Sequence, residues 1–337
     1  MALSLWLAWP VGAAPVGDAW QRPALMVRQP ERSVLLAAAW AGDRIVAVGE
    51  RGIVVVSDDA GGQWRQSPSP VSVTLTMVRF ADAKNGVAVG HGGTVLITTD
   101  AGATWQRRLD GRRIAKLAKD AANTPEARKD AERLEADGPD KPLLDVLVWD
   151  AQRMLVVGAY GIALQTSDAG ATWTPCMGHL PNPKGLHWYV ARRAGDVLLL
   201  AGEQGLLARS DDGGATFKPL ASPYKGSWFA GEIDADGRML IAGLRGNVWR
   251  SSDGGASWAA IPSPVPATIT ATARAADGST LLASQAGIVM KLQHDAIAPL
   301  SSTPVPMPAA LLARRDGSVL TLGVAGAVPL PMTGGRP

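Results

Sequence analysis

The chain has 337 residues, with 33 Lys and Arg against 30 Asp and Glu, 38 glycines, and aromatics skewed to 12 Trp against 3 Tyr and 3 Phe. A formal charge of +3, dispersed and without any RNP, zinc-finger or helix-turn-helix pattern, excludes nucleic acid as an expected partner. Cys176 stands alone and so forms no internal disulfide, and His91, His179, His187 and His294 lack ligand spacing, so no metal or other cofactor is expected.

Residues 1 to 14 read as an export signal. Leu3 to Val11 is an apolar run too short to cross a bilayer, and Gly12-Ala13-Ala14 offers small residues for cleavage. No basic residue precedes the run, and a buried N-terminal strand is the other reading of it. The expected location is periplasmic or otherwise exported.

Two markers then recur along the chain. The first is a Gly-x-x-Gly turn between apolar stretches, whose second glycine falls at 52, 93, 161, 205, 246, 287 and 326, with Ser284 replacing the first glycine of the sixth copy. The period is near 41 residues apart from one gap of 68, which gives seven units. The second marker is a polar box, Ser57 to Trp64, Thr98 to Trp105, Thr166 to Trp173, Ser210 to Phe217 and Ser251 to Trp258, with aspartates Asp59, Asp100, Asp168, Asp212 and Asp253. The fifth unit shows the plan: Ser227 to Asp234, Arg238 to Ala242 and Asn247 to Ser251 are strands, and a fourth begins at Trp258. Four short strands per repeat with glycine at the turns specify an all-β chain, a seven-bladed β-propeller.

The boxes are expected to clasp the third strand to the fourth. Asp or Ser can accept from backbone N–H groups two or three residues on, glycine supplies positive φ, and the aromatic drops onto the blade. Their aspartates are therefore assigned to structure, and no residue is assigned to catalysis.

The long gap holds an insertion, 107–142, between blades 2 and 3. Ile114, Leu117, Ala118 and Ala121 share a helical face, and Thr124-Pro125 is a helix start with Gly138 as its stop, so a short helical hairpin is expected. Arg107, Arg108, Arg112, Arg113, Lys116 and Lys119 make its first part basic. Such a patch is either a solvated flap or a docking arm for an acidic partner or anionic headgroups in peripheral membrane contact.

The seventh unit provides three strands, and Gly17 to Arg22 echoes Gly102 to Arg107 at the start of a fourth strand. The expectation is one domain over 17–335, with the N-terminal strand completing blade 7 and sealing the ring.

The boxes and the Val-Gly-x-x-Gly turns, best displayed in Val89 to Trp105, resemble those of the Ycf48-like proteins, related to the photosystem II stability and assembly factor within the Asp-box (BNR) superfamily. The resemblance covers residues 18 to 330. It implies a non-enzymatic seven-bladed propeller that binds protein during the assembly of a membrane complex. The expected function is thus an exported, monomeric protein-binding scaffold or assembly factor serving an envelope membrane complex or transporter. The turns between second and third strands form the expected recognition face, with Arg51, Tyr160 and Arg245 beside Trp188 and Trp228. The two tryptophans begin inner strands, where burial between blades competes with exposure. The alternative is a glycan-binding protein or sialidase-like glycoside hydrolase, with Tyr160, Glu203, Arg51 and Arg245 as its reactive set. The Phe-Arg-Ile-Pro signature of sialidases is absent.

Overall fold

The computed structural model describes residues 17–331. Seven antiparallel sheets follow one another along the chain, as blade 1 (35–67), blade 2 (75–109), blade 3 (143–175), blade 4 (188–219), blade 5 (228–260), blade 6 (269–299) and blade 7 (308–329). Blades 1 to 6 have four strands each, and blade 7 has three among the described residues. The first strand of every blade packs against the first strand of the next, and Pro308–Ala313 of blade 7 packs against Leu35–Ala41 of blade 1, so the ring closes. Closed rings leave only short, protected sheet edges.

The Gly-x-x-Gly turns explain why the blades repeat so regularly. The first glycine lies against its own blade's opening residues: a Cβ on Gly49 would collide with the Val34 carbonyl oxygen, and one on Gly202 with that of His187. The second lies against the loop leading into the following blade, where Gly52 meets the Val71 carbonyl and Gly246 that of Val265. The residue after the first glycine ties the turn down, as when the Glu50 N–H donates to the Val34 carbonyl (3.1 Å) and the Glu203 N–H to that of His187 (2.9 Å). Each turn is therefore the joint between two blades.

Second strands are buried on both faces, as in Gly86–Gly90 and Met154–Gly158, and supply the aliphatic layers between neighbouring blades. Each such Val, Leu or Ile contributes about 1.5–3 kcal/mol. Cys176 is buried among them, and burial pushes its thiol up to about 12.

The ring is not sealed in the way the sequence suggests. Residues 17–22 form a turn against blades 1 and 2, where the Ser72 N–H donates to the Ala19 carbonyl (2.7 Å) and Trp20 packs against Val73 and its neighbours. Arg107 donates to the Trp20 carbonyl (2.5 Å), and the guanidinium groups of Arg107 and Arg112 lie 5.3 and 4.8 Å from the indole. The insertion thus draws the N-terminal segment away from blade 7. The seam is closed by the same joint used elsewhere: Gly326 of blade 7 sits against the Glu31 carbonyl, just ahead of blade 1. Across it Trp40 donates to the Ala313 carbonyl (3.1 Å), and Leu312, Leu320 and Leu322 pack with Leu35 and Ile45.

The insertion is the expected helical hairpin. Helix α1 (Gly111–Ala121) is capped by Asp110, whose carboxylate accepts from the Arg113 N–H, and α2 (Pro125–Ala136) by Thr124, whose hydroxyl accepts from the Ala127 N–H. Ile114, Ala115 and Ala118 are buried, with Ile114 packed among blade 2 and blade 3 residues. Residues 1–14, read from the sequence as an export signal, lie outside the described residues. Among the described residues no helix is long and apolar enough to cross a membrane.

Candidate partner-binding face

Because the strands of a blade meander, the 2–3 turns and the loops between blades share one end of the ring, and the Asp-boxes occupy the other. The boxes behave as clasps, with a longer reach than expected. In the third, the Thr166 hydroxyl donates to Asp168 Oδ1 (2.8 Å) and accepts from the Gly170 N–H (3.0 Å), while Asp168 accepts from the Thr172 N–H four residues on (2.9 Å) and from its hydroxyl (2.6 Å). These bonds, led by the Thr172 hydroxyl, hold the Asp168 carboxyl at about 2. In the second box burial pushes Asp100 upward, and the equivalent bonds from Thr104 and Thr98 outweigh it. Asp59, Asp212 and Asp253 accept in the same way, so the five aspartates are spent on the fold.

On the opposite face, four of the seven turns carry a non-glycine residue in the left-handed region: Arg51 (φ 55°), Tyr160 (φ 56°), Gln204 (φ 53°) and Arg245 (φ 57°). Blade 2 places Gly92 there, the residue that bears this conformation without strain. Long polar or aromatic side chains are thus held outward at a conformational cost, the kind of strain that gathers at functional sites. Arg51 and Arg245 are exposed, and Tyr160 is 59% exposed.

Tyr160 begins an aromatic run. Its ring lies 4.8 Å from that of His187, which lies 5.9 Å from Tyr189, which lies 5.0 Å from Phe229. Lys141 Nζ sits 5.6 Å from the Tyr160 centroid. Glu203 accepts from the His187 backbone N–H (3.1 Å), and that bond leads the effects holding its carboxyl below the usual range. His187 Nδ1 is 2.8 Å from the same carboxylate oxygen but outside hydrogen-bond geometry. Burial, and then the Glu203 charge, push the Tyr189 phenol up.

The run descends to a central channel of about 570 Å³, lined by the first strands and including Tyr189 and Phe229. Its wall carries an ionic belt assembled from several blades. Asp145, with no exposed side-chain surface, lies 3.0 Å from Arg79 and 2.5 Å from Arg192, and also accepts from the Ala191 and Val146 N–H groups. Burial pushes its carboxyl up, but the two arginines and the N–H donors prevail and keep it ionised. Arg192 reaches on to Glu232 (3.9 Å), which accepts from the Thr272 hydroxyl (2.8 Å).

Trp188 and Trp228 have to be corrected: both are fully buried and cannot touch a partner. The repeat itself held the signal. They occupy the same place as Leu35, Leu75, Leu143 and Ile269, a column that is apolar in every one of these blades and buried in all of them. Their neighbours Tyr189 and Phe229, one residue on, reach the channel instead. The basic patch of the insertion is also largely engaged within the molecule. Arg107 and Arg112 hold Trp20, Arg113 donates to the Arg108 and Ala171 carbonyls, Lys116 pairs with Asp120 (2.7 Å) and Lys119 with Glu135 (2.8 Å). Arg108 makes no ion pair among the described residues. Among those residues, no three His, Cys, Asp or Glu side chains converge as metal ligands.

Seven antiparallel blades joined at Gly-x-x-Gly-type turns, five of them clasped by boxes, define an Asp-box β-propeller. Residues 128–294 match the family described as photosynthesis system II assembly factor YCF48. In fold the chain is similar to a YCF48 solved bound to a D1 peptide (TM-score 0.65, 15% identity, 93% of this chain and 97% of that one). It is likewise similar to YCF48 from Cyanidioschyzon merolae (TM-score 0.64, 15% identity, 90% and 97%). A streptogramin B lyase shares the architecture as well (TM-score 0.70, 12% identity, 94% and 100%). A search of curated protein sequences finds no match. Over residues 128–294 the chain is, more particularly, similar to the Ycf48 family of BNR propellers, and its fold matches theirs.

Proposed function

We propose that the protein is a non-catalytic, exported scaffold that binds an extended segment of a membrane or envelope protein on its turn face and acts in the assembly of that partner's complex. The carrying observation is the aromatic run from exposed Tyr160 to Phe229, standing between left-handed corners that present Arg51, Gln204 and Arg245. Aromatic and arginine side chains on a concave, preformed surface are what protein recognition favours. The Ycf48-like sequence and the D1 peptide held by the YCF48 structure support a peptide as the bound object. A sialidase-like role finds less support, since the groups beside the Tyr160 ring are Lys141 and His187, and among the described residues no carboxylate hydrogen-bonds its phenol.

The test is capture of membrane proteins by the immobilised protein, compared with a Tyr160→Ala/Arg245→Ala double variant. Both side chains are exposed, so folding is expected to survive and capture to fall at least about tenfold, the loss of roughly 1.4 kcal/mol or more. Equal capture by the variant, or hydrolysis of sialosides that Tyr160→Phe abolishes, overturns the proposal.

A further inference from the structure

Each Asp-box also fills a particular place between blades. Box 2 illustrates it: the Ala101 N–H donates to the Lys84 carbonyl in its own blade's first hairpin turn (2.9 Å), and Gly102 lies against Val46 in the second strand of blade 1. Arg44, at the start of that strand, donates to the Ala101 carbonyl (3.3 Å). Box 5 sits likewise against blade 4, with Arg209 donating to the Gly254 carbonyl (2.5 Å) and Gly255 against Leu220, and box 1 sits against Arg314 of blade 7. The box aromatic closes the gap.

Blade 6 has no box. Val289–Gln293 pairs directly with Ala296–Pro299 across His294 and Asp295. The place a sixth box would take is a cleft of about 250 Å³, bounded by blade 6's first hairpin turn at Asp277 and Ser279 and by the second strand of blade 5 at Arg238 and Met239. Arg238-Met239-Leu240 stands in the repeat where Arg44-Ile45-Val46 stands in blade 1, so Arg238 is the counterpart of the arginine that holds a box carbonyl. It pairs with Asp234 (2.7 Å) and Asp236 (2.9 Å), as Arg153 pairs with Asp150 in blade 3 (2.7 Å), while Arg250 takes the His294 carbonyl and pairs with Asp295 (2.5 Å). Arg274, on the blade 6 side, donates to the Thr280 hydroxyl (3.2 Å) and makes no ion pair among the described residues.

We propose that this cleft receives, from a second protein, a glycine-rich turn carrying a tryptophan, which completes the interblade joint in trans. The cleft is smaller than the usual 300–1,000 Å³ of a small-molecule pocket and suits one inserted side chain on a turn. Met239, Leu240 and Leu292 line it together with Arg238, Arg250 and Arg274 and the carboxylates of Glu232, Asp234 and Asp277. Arginine over indole is a pairing this molecule already uses, with Arg107 and Arg112 at Trp20 and Arg315 at Trp40. A second copy of the chain is a poor donor, because each of its own box aromatics is packed within its own blades. The cleft lies at the box end of the strands, away from the turn face, so the proposal does not rest on the peptide-binding reading above.

The probe is a fluorescein-labelled, end-blocked peptide with the sequence of residues 251–260, titrated with the full chain by fluorescence anisotropy. Saturable binding is expected, weakened about thirtyfold when Trp258 of the peptide is replaced by Ala, as for an anchoring tryptophan. Exposed Arg274→Glu is expected to weaken it about tenfold without changing the circular dichroism. Grafting the sequence of 251–258 in place of His294 and Asp295 is expected to fill the cleft in cis, abolish binding and raise the melting temperature. Absence of saturable binding, equal affinity for the Trp→Ala peptide, or undiminished binding by Arg274→Glu overturns the proposal.

Discussion

At the scale of single residues, the polar groups divide into those that hold local turns and those that hold the ring. Asp145 belongs to the second kind: removing it as Asp145→Ala leaves Arg192 largely buried without its nearest anion, and the expected loss is about 3–5 kcal/mol by chemical denaturation. Asp168 belongs to the first. Its carboxyl falls from 3.8 to about 2 on folding, so the clasp's contribution is complete above the unfolded value and disappears as pH falls through the folded one. Thermal melts across pH 5 to pH 2 are therefore expected to show less acid destabilisation in Asp168→Asn than in the parent, from a lower starting stability. The boxes were legible in the sequence because every partner of their aspartates lies within four residues. The ionic belt was not, since Arg79, Asp145, Arg192 and Glu232 come from four blades and nothing local marks them as neighbours. The same contrast separates Tyr160, visible as a turn residue, from His187, Tyr189 and Phe229, whose alignment exists only once blades 3, 4 and 5 stand side by side.

At the scale of elements, local signals predicted the helical hairpin and misplaced the N-terminal segment. Thr124, Pro125 and Gly138 act within one or two turns of helix, so their reading carried over directly. Gly17 to Arg22 looks like the beginning of a fourth strand because Trp20-Gln21-Arg22 matches Trp105-Gln106-Arg107. Its location is decided instead by Arg107 and Arg112, about 90 residues away, which surround the Trp20 indole. Replacing both arginines by alanine removes two cation–π contacts worth about 0.5–1 kcal/mol each, plus a hydrogen bond to the Trp20 carbonyl. Hydrogen exchange is expected to speed at the Ser72 amide, which donates to Ala19, and to remain slow in the second strands of all blades. Slow exchange at Ser72 in the double variant contradicts the assigned anchor.

At the scale of the whole molecule, the decisive quantity is whether the junction between the chain's two ends is as strong as the junctions inside it. Seven units were countable because a glycine of positive φ stands at every joint, at most of them against the backbone of another segment, and a requirement imposed by the ring is thereby written into each repeat. The joint between blades 7 and 1 uses the same device with Gly326 against Glu31 as the joint between blades 5 and 6 does with Gly246 against Val265. Both glycines have positive φ, 82° and 73°, and at both a Cβ would strike a carbonyl oxygen. Left-handed strain of about 1–2 kcal/mol and overpacking of about 1–3 kcal/mol then predict a loss of roughly 2–5 kcal/mol for either alanine substitution. If the seam is equivalent, Gly326→Ala and Gly246→Ala lower the denaturant midpoint by similar amounts, and each variant unfolds in one transition that far- and near-ultraviolet signals follow together. A seam weaker than the internal joints makes Gly326→Ala unfold in two steps, with blade 7 parting from blade 1 first, while Gly246→Ala remains a single transition. That comparison separates a ring closed by seven equal joints from an open stack that merely curls onto itself.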